Sequence, residues 1–388
     1  MDVSITRLKK LIPRFYKMKL PLFIHGAPGI GKSDAVRQAS KEIAKAMAKQ
    51  INPGVDMSKL ENYYCEGIAE PGKFNLIDTR ASQLDPTDAR GIPFNVNGKT
   101  KYLPPNWLPT EGFGIIFFDE MNLAIPTVQH ALYQLILDRR CGDYVLPEGY
   151  VILAAGNRKE DQVNVFQMPP PLKNRFAHVT LLPPSLDEWT KWAFDNGIRT
   201  EIIAFHQFSG GEYLYKFDKA TKTDAFPTHR SWAKSSVLTN HIKYDIPVDK
   251  EYEEKLRALI DDDRLLVATC IGEAVAMPYV GFLELRSSID LKGILEDPKK
   301  VKEIRDQGHR YILMCGLAET YKQKRANEER QKALNKIFNV VLEMEDKEWI
   351  VFLLKMMKNM HPNHFSDDLG KCGRFKEIYP IIGRIVIK

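Results

Sequence analysis

Gly26-Ala27-Pro28-Gly29-Ile30-Gly31-Lys32-Ser33 fits the pattern GxxxxGK followed by Ser or Thr, in which glycines turn successive backbone N–H groups inward around phosphates. In that chemistry Lys32 reaches the β- and γ-phosphate oxygens and the Ser33 hydroxyl sits on Mg²⁺. Asp34, next along the chain, is counted with the nucleotide-binding positions. A second cluster follows at Gly114-Ile115-Ile116-Phe117-Phe118-Asp119-Glu120, an apolar run ending in two acids. In phosphoryl transfer the first acid, Asp119, supports Mg²⁺ beside Ser33, and the second, Glu120, positions the attacking water. The reaction needs charge neutralisation and an oriented nucleophile more than covalent help. The two runs together therefore predict a site for a nucleoside triphosphate with Mg²⁺.

Such residues must be held at the carboxyl ends of strands. Leu20 to His25 is an apolar, strand-like approach to the glycine run, and the stretch from Lys32 to about Ile51, rich in Ala, Lys and Gln, is helix-favouring. The loop then opens a helix N-terminus, which favours anions. Further β-favouring runs are Phe74 to Asp78, Gly114 to Phe118, Val151 to Ala155 and His178 to Leu182. Their near-continuous hydrophobicity is that of parallel strands buried on both faces. With helical patterns between them, notably Thr127 to Arg139, residues 1–185 read as a doubly wound α/β nucleotide-binding domain. Pro183-Pro184 marks its end. Asp85 to Pro109, with several prolines and an Asn-Gly pair, reads as a loop with a hairpin.

Beyond Leu186 helical periodicity dominates, in Leu186 to Asn196, His229 to His241, Glu251 to Leu259 and Leu265 to Leu285. Residues 186–300 are expected to form a smaller helical domain and 301–388 a helical C-terminal extension rich in Lys and Glu. A chain of 388 residues exceeds the size at which one core keeps growing. Composition is that of a soluble globular protein, 44% hydrophobic and 27% charged, with no apolar run of membrane-spanning length and no signal-peptide core at the start. A cytoplasmic location is expected. Five scattered cysteines form no CxxC pair and read as reduced thiols, so neither a zinc site nor a disulfide framework is signalled. Net charge +6 and pI about 8.8 allow an acidic or nucleic-acid partner without selecting one.

At these residues the chain resembles the AAA+ ATPases, and within them the MoxR-type branch with its CbbQ-like members, over roughly residues 20 to 300. The resemblance implies a P-loop sheet of strand order 5-1-4-3-2. It implies further site residues as well. Ala154-Ala155-Gly156-Asn157 resembles sensor 1, with Asn157 aligning water between Glu120 and the γ-phosphate. Pro171-Leu172-Lys173-Asn174-Arg175-Phe176 resembles the arginine-finger segment, so Arg175 is expected to reach nucleotide bound by a neighbouring subunit. Phe226-Pro227-Thr228-His229-Arg230-Ser231-Trp232 is similar to sensor 2, where Arg230 would touch the nucleotide of its own subunit. The family more often has Pro at the position of His229. Asp78 to Pro93 with Lys101-Tyr102-Leu103-Pro104-Pro105 resembles the helix-2 insert of this branch, which projects towards a central pore.

The implied activity is Mg²⁺-ATP hydrolysis by a homo-oligomeric ring, a hexamer in the family, that remodels or assembles a protein partner in a chaperone-like way. Proteins of this branch commonly work with a von Willebrand factor A domain partner, and this chain carries no DxSxS run of its own. A nucleic-acid translocase or restriction-type motor is one rival: the basic balance favours it, and the lack of helicase motifs weighs against it. The other is a nucleotide-dependent assembly scaffold, against which Glu120 and Asn157 argue. Arg139 and Arg140 end the helix that begins at Thr127 and suit its macrodipole or a subunit interface. His25 and His130 show no partner in the sequence, so packing or surface roles are expected of both.

Overall fold

The computed structural model describes residues 1–51, 57–158, 166–217, 223–242, 251–322, 326–344, 346, 348–360 and 364–386. They form two compact units, Met1–Pro184 and Ser185–Lys388.

The first unit runs β1 (Asp2–Val3), α1 (Ile5–Met18), β2 (Leu22–His25), α2 (Lys32–Ile51), β3 (Tyr64–Glu66) and β4 (Phe74–Arg80). It continues through α3 (Pro86–Arg90), β5 (Ile92–Val96), β6 (Lys99–Leu103), β7 (Phe113–Asp119) and α4 (Pro126–Asp138). It closes with β8 (Arg140–Cys141), β9 (Tyr144–Val145), β10 (Gly149–Gly156), α5 (Pro170–Lys173) and β11 (Ala177–Leu181). Seven strands make one sheet in the order β1-β11-β2-β10-β7-β4-β3, every pair parallel. Without the edge strands β1 and β3, this is the expected 5-1-4-3-2.

Period-two alternation divides the strand side chains between two buried layers. Phe23, Ile77, Ile116, Phe118, Ile152 and Ala154 pack with Val128, Leu132 and Leu135 of α4. Helix α2, with Ala35, Val36 and Ala39 buried, lies against β4 and β7 and carries α1. Backbones approach so closely that a Cβ on Gly114 would stand 2.0 Å from the Asn75 carbonyl oxygen. The chain leaves β2 towards β4 on one side, returns through β7 and β10, and then crosses β2 to reach β11. That makes the carboxyl ends of β2 and β10 the switch point at which open α/β sheets bind ligands.

Asn97 and Gly98, at φ 53 and 75, form the turn of the β5–β6 hairpin, as the Asn-Gly pair predicts. Helix α1, capped by the Ser4 side chain accepting from the Arg7 N–H, was not foreseen, because its Pro13 and its five Lys and Arg residues mask the apolar stripe of Leu8 and Ile12.

The second unit is helical: α6 (Leu186–Asp195), α7 (Thr200–Phe208), α8 (His229–Thr239), α9 (Tyr252–Ile271), α10 (Glu273–Glu284) and α11 (Leu291–Glu296). Then come α12 (Gln307–Lys322), α13 (Asn327–Glu343), α14 (Glu348–Met360), α15 (Phe365–Lys371) and α16 (Phe375–Val386). One hydrophobic core runs through it, from Trp189 to Ile378. The expected helix Leu265 to Leu285 is instead two. Gly272, at φ 84, ends α9 and starts α10, and Leu265 continues the helix that begins at Tyr252.

Candidate nucleotide site

The glycine run follows β2 and leads into α2. Gly29 and Gly31 stand at φ 74 and 90, the left-handed backbone that turns N–H groups towards an anion. Gly26 has no room for a side chain, since a Cβ there would lie 2.7 Å from Ile30 Cδ1 and 3.1 Å from the Leu181 carbonyl oxygen. Lys32 is 9% exposed, and its Nζ donates to the carbonyls of Gly26 (2.8 Å) and Ala27 (2.9 Å) and to Asn157 Oδ1 (3.0 Å). The ammonium is thus folded back over the loop, on the side chain read as sensor 1.

Asp119 ends β7 and Ser33 lies in the first turn of α2, and Ser33 Oγ donates to Asp119 Oδ2 at 2.5 Å. Glu120 follows at φ 54, its N–H donating to Asp119 Oδ1 (2.9 Å) and its Oε2 accepting from Ser82 Oγ (2.6 Å). Burial, and next the charge of Asp119, push the Asp78 carboxyl up, against the pull of Arg37. Arg37 also pairs with Glu66 (2.6 Å) and with Asp34 (2.8 Å), so the exposed Asp34 side chain is engaged by its own helix.

Asn157, just past β10, is clamped by a residue that sequence reasoning missed. Asn122 Nδ2 donates to the Asn157 carbonyl (2.6 Å), and the Asn157 N–H donates to Asn122 Oδ1 (3.1 Å). Gly156 makes room, since a Cβ there would come 2.2 Å from Asn122 Oδ1. Lys32, Ser33, Asp119, Glu120 and Asn157 therefore gather at the carboxyl ends of the adjacent strands β2, β10 and β7. Ser82, Asp78 and Asn122 join them. Only the position of Asn122, two residues past Glu120, offered a signal.

Arg175 stands apart, exposed in the turn between α5 and β11, with no ion pair among the described residues. Arg230, in the second unit, is exposed in the first turn of α8, whose cap Thr228 accepts from the Ser231 N–H at 3.0 Å. Arg139 Nη2 donates to the carbonyls of Pro147 (2.8 Å) and Tyr150 (2.9 Å), which ties its helix end to the segment entering β10. His130 is exposed on α4. His25, expected to lack a partner, has one: its Nε2 is 3.0 Å from His178 Nδ1. A cavity of about 450 Å³ opens beside these residues, lined among others by Asp2, His25, Asn157, Arg158, Lys173 and Thr180.

The donor set fits the groups it would hold. An ammonium and inward-turned amides suit a polyphosphate, and a hydroxyl beside a carboxylate suits a hard cation such as Mg²⁺. Sheet order, loop and carboxylates define a P-loop α/β domain with the AAA+ order of strands.

Comparison with protein-family models and with curated proteins finds no match. Solved structures with a similar fold include the ORC2 protein of Aeropyrum pernix with ADPNP and ADP, at 12% identity, TM-score 0.37, covering 92% of this chain and 85% of that one. A Thermotoga maritima RuvB variant is 13% identical with TM-score 0.30, over 90% and 87% of the two chains. A protein described as a candidate ATPase from Cytophaga hutchinsonii is 15% identical with TM-score 0.32 over 65% of this chain, which spans 63% of that protein's length. Scores this low leave the activity to be judged on this chain's own residues.

Proposed function

We propose that this chain is a Mg²⁺-ATP-hydrolysing ring ATPase of the AAA+ class, of MoxR type, that remodels or assembles a protein partner. The observation that carries the reading is the convergence of Lys32, Ser33, Asp119, Glu120 and Asn157 at the carboxyl ends of the central strands β2, β10 and β7. Lys32 and the loop amides hold the β- and γ-phosphates, and Ser33 and Asp119 hold the metal. Magnesium, when bound, neutralises phosphate charge. Glu120 orients the attacking water and Asn157 aligns it. Arg175, exposed and without an ion-pair partner among the described residues, is the proposed finger offered to a neighbouring subunit, an element worth about 10³–10⁵ in rate.

The assignment of Arg230 as the sensor 2 residue rests on the likeness of its motif, as do the division into a lid at 186–300 and an extension at 301–388, hexameric size and a von Willebrand factor A domain partner. The β5–β6 hairpin supports a pore-directed insert, because Ile92, Phe94 and Leu103 are exposed beside Lys99 and Lys101. Among the described residues no helix is long and apolar enough to cross a membrane.

The test is Mg²⁺-dependent hydrolysis across protein concentration, with light scattering in ATP and Arg175→Ala in parallel. A steep concentration dependence, ring-sized particles and an inactive variant that still binds ATP are expected. Activity unchanged by dilution in an active Arg175→Ala protein would overturn the trans-acting ring.

A further inference from the structure

Two histidines join the strand that enters the phosphate loop to the turn that carries Arg175. His25 is the last residue of β2 and precedes Gly26, whose carbonyl holds Lys32 Nζ. His178 lies on the neighbouring strand β11, one pleat back, since Thr180 is the register partner of His25. The rings stack at 25° with centroids 5.2 Å apart, and His25 Nε2 stands 3.0 Å from His178 Nδ1. On its far side His178 Nε2 is 2.8 Å from the Lys173 carbonyl oxygen.

That carbonyl only accepts, so His178 Nε2 carries the proton. With a single proton, at Nε2, the His178 ring accepts at Nδ1 from His25 Nε2–H. Burial, followed by His178, Lys173, Lys32 and the N-terminus, lowers His25 to about 4, which keeps it neutral at ordinary pH. Beyond those groups, Asp2 and Arg158 line the cavity on which His25 borders.

The Lys173 carbonyl also accepts from the Phe176 N–H (3.2 Å), and the Arg175 N–H donates to the Leu172 carbonyl (3.2 Å). These two bonds close the turn in which Arg175 sits, and His178 pins one of its two closing carbonyls. Underneath, the Phe23 ring lies 4.4 Å from His25 and 5.6 Å from Phe176, so one apolar base carries both the histidines and the turn.

We infer that His25 and His178 are positioning residues for Arg175, fixing the turn that presents the guanidinium to the strand that enters the same subunit's phosphate loop. The inference rests on the reading of Arg175 as a finger acting on a neighbour's nucleotide.

Mixed rings test it. Arg175→Ala subunits have intact hydrolytic residues and no finger, whereas Glu120→Gln subunits have a dead site and an intact finger, so the mixture should regain activity that neither has alone. Placing His178→Ala in the Glu120→Gln subunit, which donates the finger, is expected to cut the regained rate by about 10- to 100-fold, the scale of an ångström-sized misplacement. Placing it in the Arg175→Ala subunit should leave the regained rate unchanged. His178→Gln, which keeps an N–H donor, should largely restore the rate in the finger-donating subunit. Equal losses from either placement would overturn the inference and make the pair a packing element. No regain in the plain mixture would instead overturn the trans-acting finger itself.

Discussion

Ser82 Oγ donates to Glu120 Oε2 at 2.6 Å, across from the bond between the Glu120 N–H and Asp119 Oδ1. The carboxylate proposed to orient water is thus held by a hydroxyl from the chain just past β4. A hydrogen bond to a charged group contributes about 1.5–3 kcal/mol, and this one resists any turn of the Glu120 carboxylate towards a water. Ser82→Ala is therefore expected to raise steady-state hydrolysis at saturating ATP by up to about tenfold, with nucleotide affinity unchanged. A fall of similar size would mean that Ser82 aims the carboxylate.

Lys32 is gathered over the loop by two backbone carbonyls and Asn157 Oδ1, all within 3.0 Å. Its ammonium is buried over the loop proposed to hold the phosphates, and charge-assisted bonds are about twice as strong as neutral ones. Lys32→Ala should weaken ATP binding by roughly 100-fold or more, about 3 kcal/mol, as read by fluorescence anisotropy of a labelled nucleotide. Glu120→Gln should bind ATP normally, hydrolyse it slowly and stabilise the proposed ring in sizing experiments. Normal affinity in the first variant or normal turnover in the second would defeat the assignment.

The sheet was legible because each central strand is a short apolar run between polar turns, and the phosphate loop because its glycines and lysine are contiguous. Asp119 and Glu120 announced themselves at the end of such a run. What stayed hidden depends on pairs distant in sequence: Ser82 with Glu120, Asn122 with Asn157, and His25 with His178, separated by 38, 35 and 153 residues. Polar residues of these types are common at strand ends, and nothing local tells which partner the sheet register will supply. The helix break at Gly272 was hidden differently. The apolar period continues through it, and only the folded chain shows why glycine is needed, in the left-handed φ of 84 and in the 2.8 Å at which a Cβ would meet the Ala225 carbonyl oxygen.

Asn122 and Asn157 are both nearly buried, at 6% and 7% exposure, so their mutual bonds are not readily replaced by water. Asn122→Ala leaves the Asn157 N–H and carbonyl without that partner, at about 1–3 kcal/mol for each unsatisfied group. The expected result is a melting temperature several degrees lower and kcat reduced about tenfold, since Asn157 also accepts from Lys32. An unchanged kcat in a folded, destabilised protein would limit Asn122 to a structural role.

A buried charge cluster in the second unit sets a pH dependence of its own. Arg199 pairs with Glu201 (3.1 Å) and Asp263 (2.7 Å), and Arg286 pairs with Glu319 (2.5 Å). Three carboxyls face two guanidinium groups, so one carboxyl is held better with its proton. Burial is the main cause of the Glu319 rise from 4.5 to about 7, the charge of Glu201 adding to it against Arg286, while Arg199 leads the pull that lowers Glu201. A raised carboxyl contributes stability that is complete below its unfolded value of 4.5 and is lost as pH rises through about 7. Between pH 5 and 8 this one group should therefore remove about 2 kcal/mol or less of stability, a few degrees of melting temperature for a unit of this size. Glu319→Gln holds a neutral amide there at every pH, so its melting temperature should fall less over that range than the parent's, by differential scanning calorimetry. Parallel curves for the two proteins would show that the shared proton lies elsewhere in the cluster.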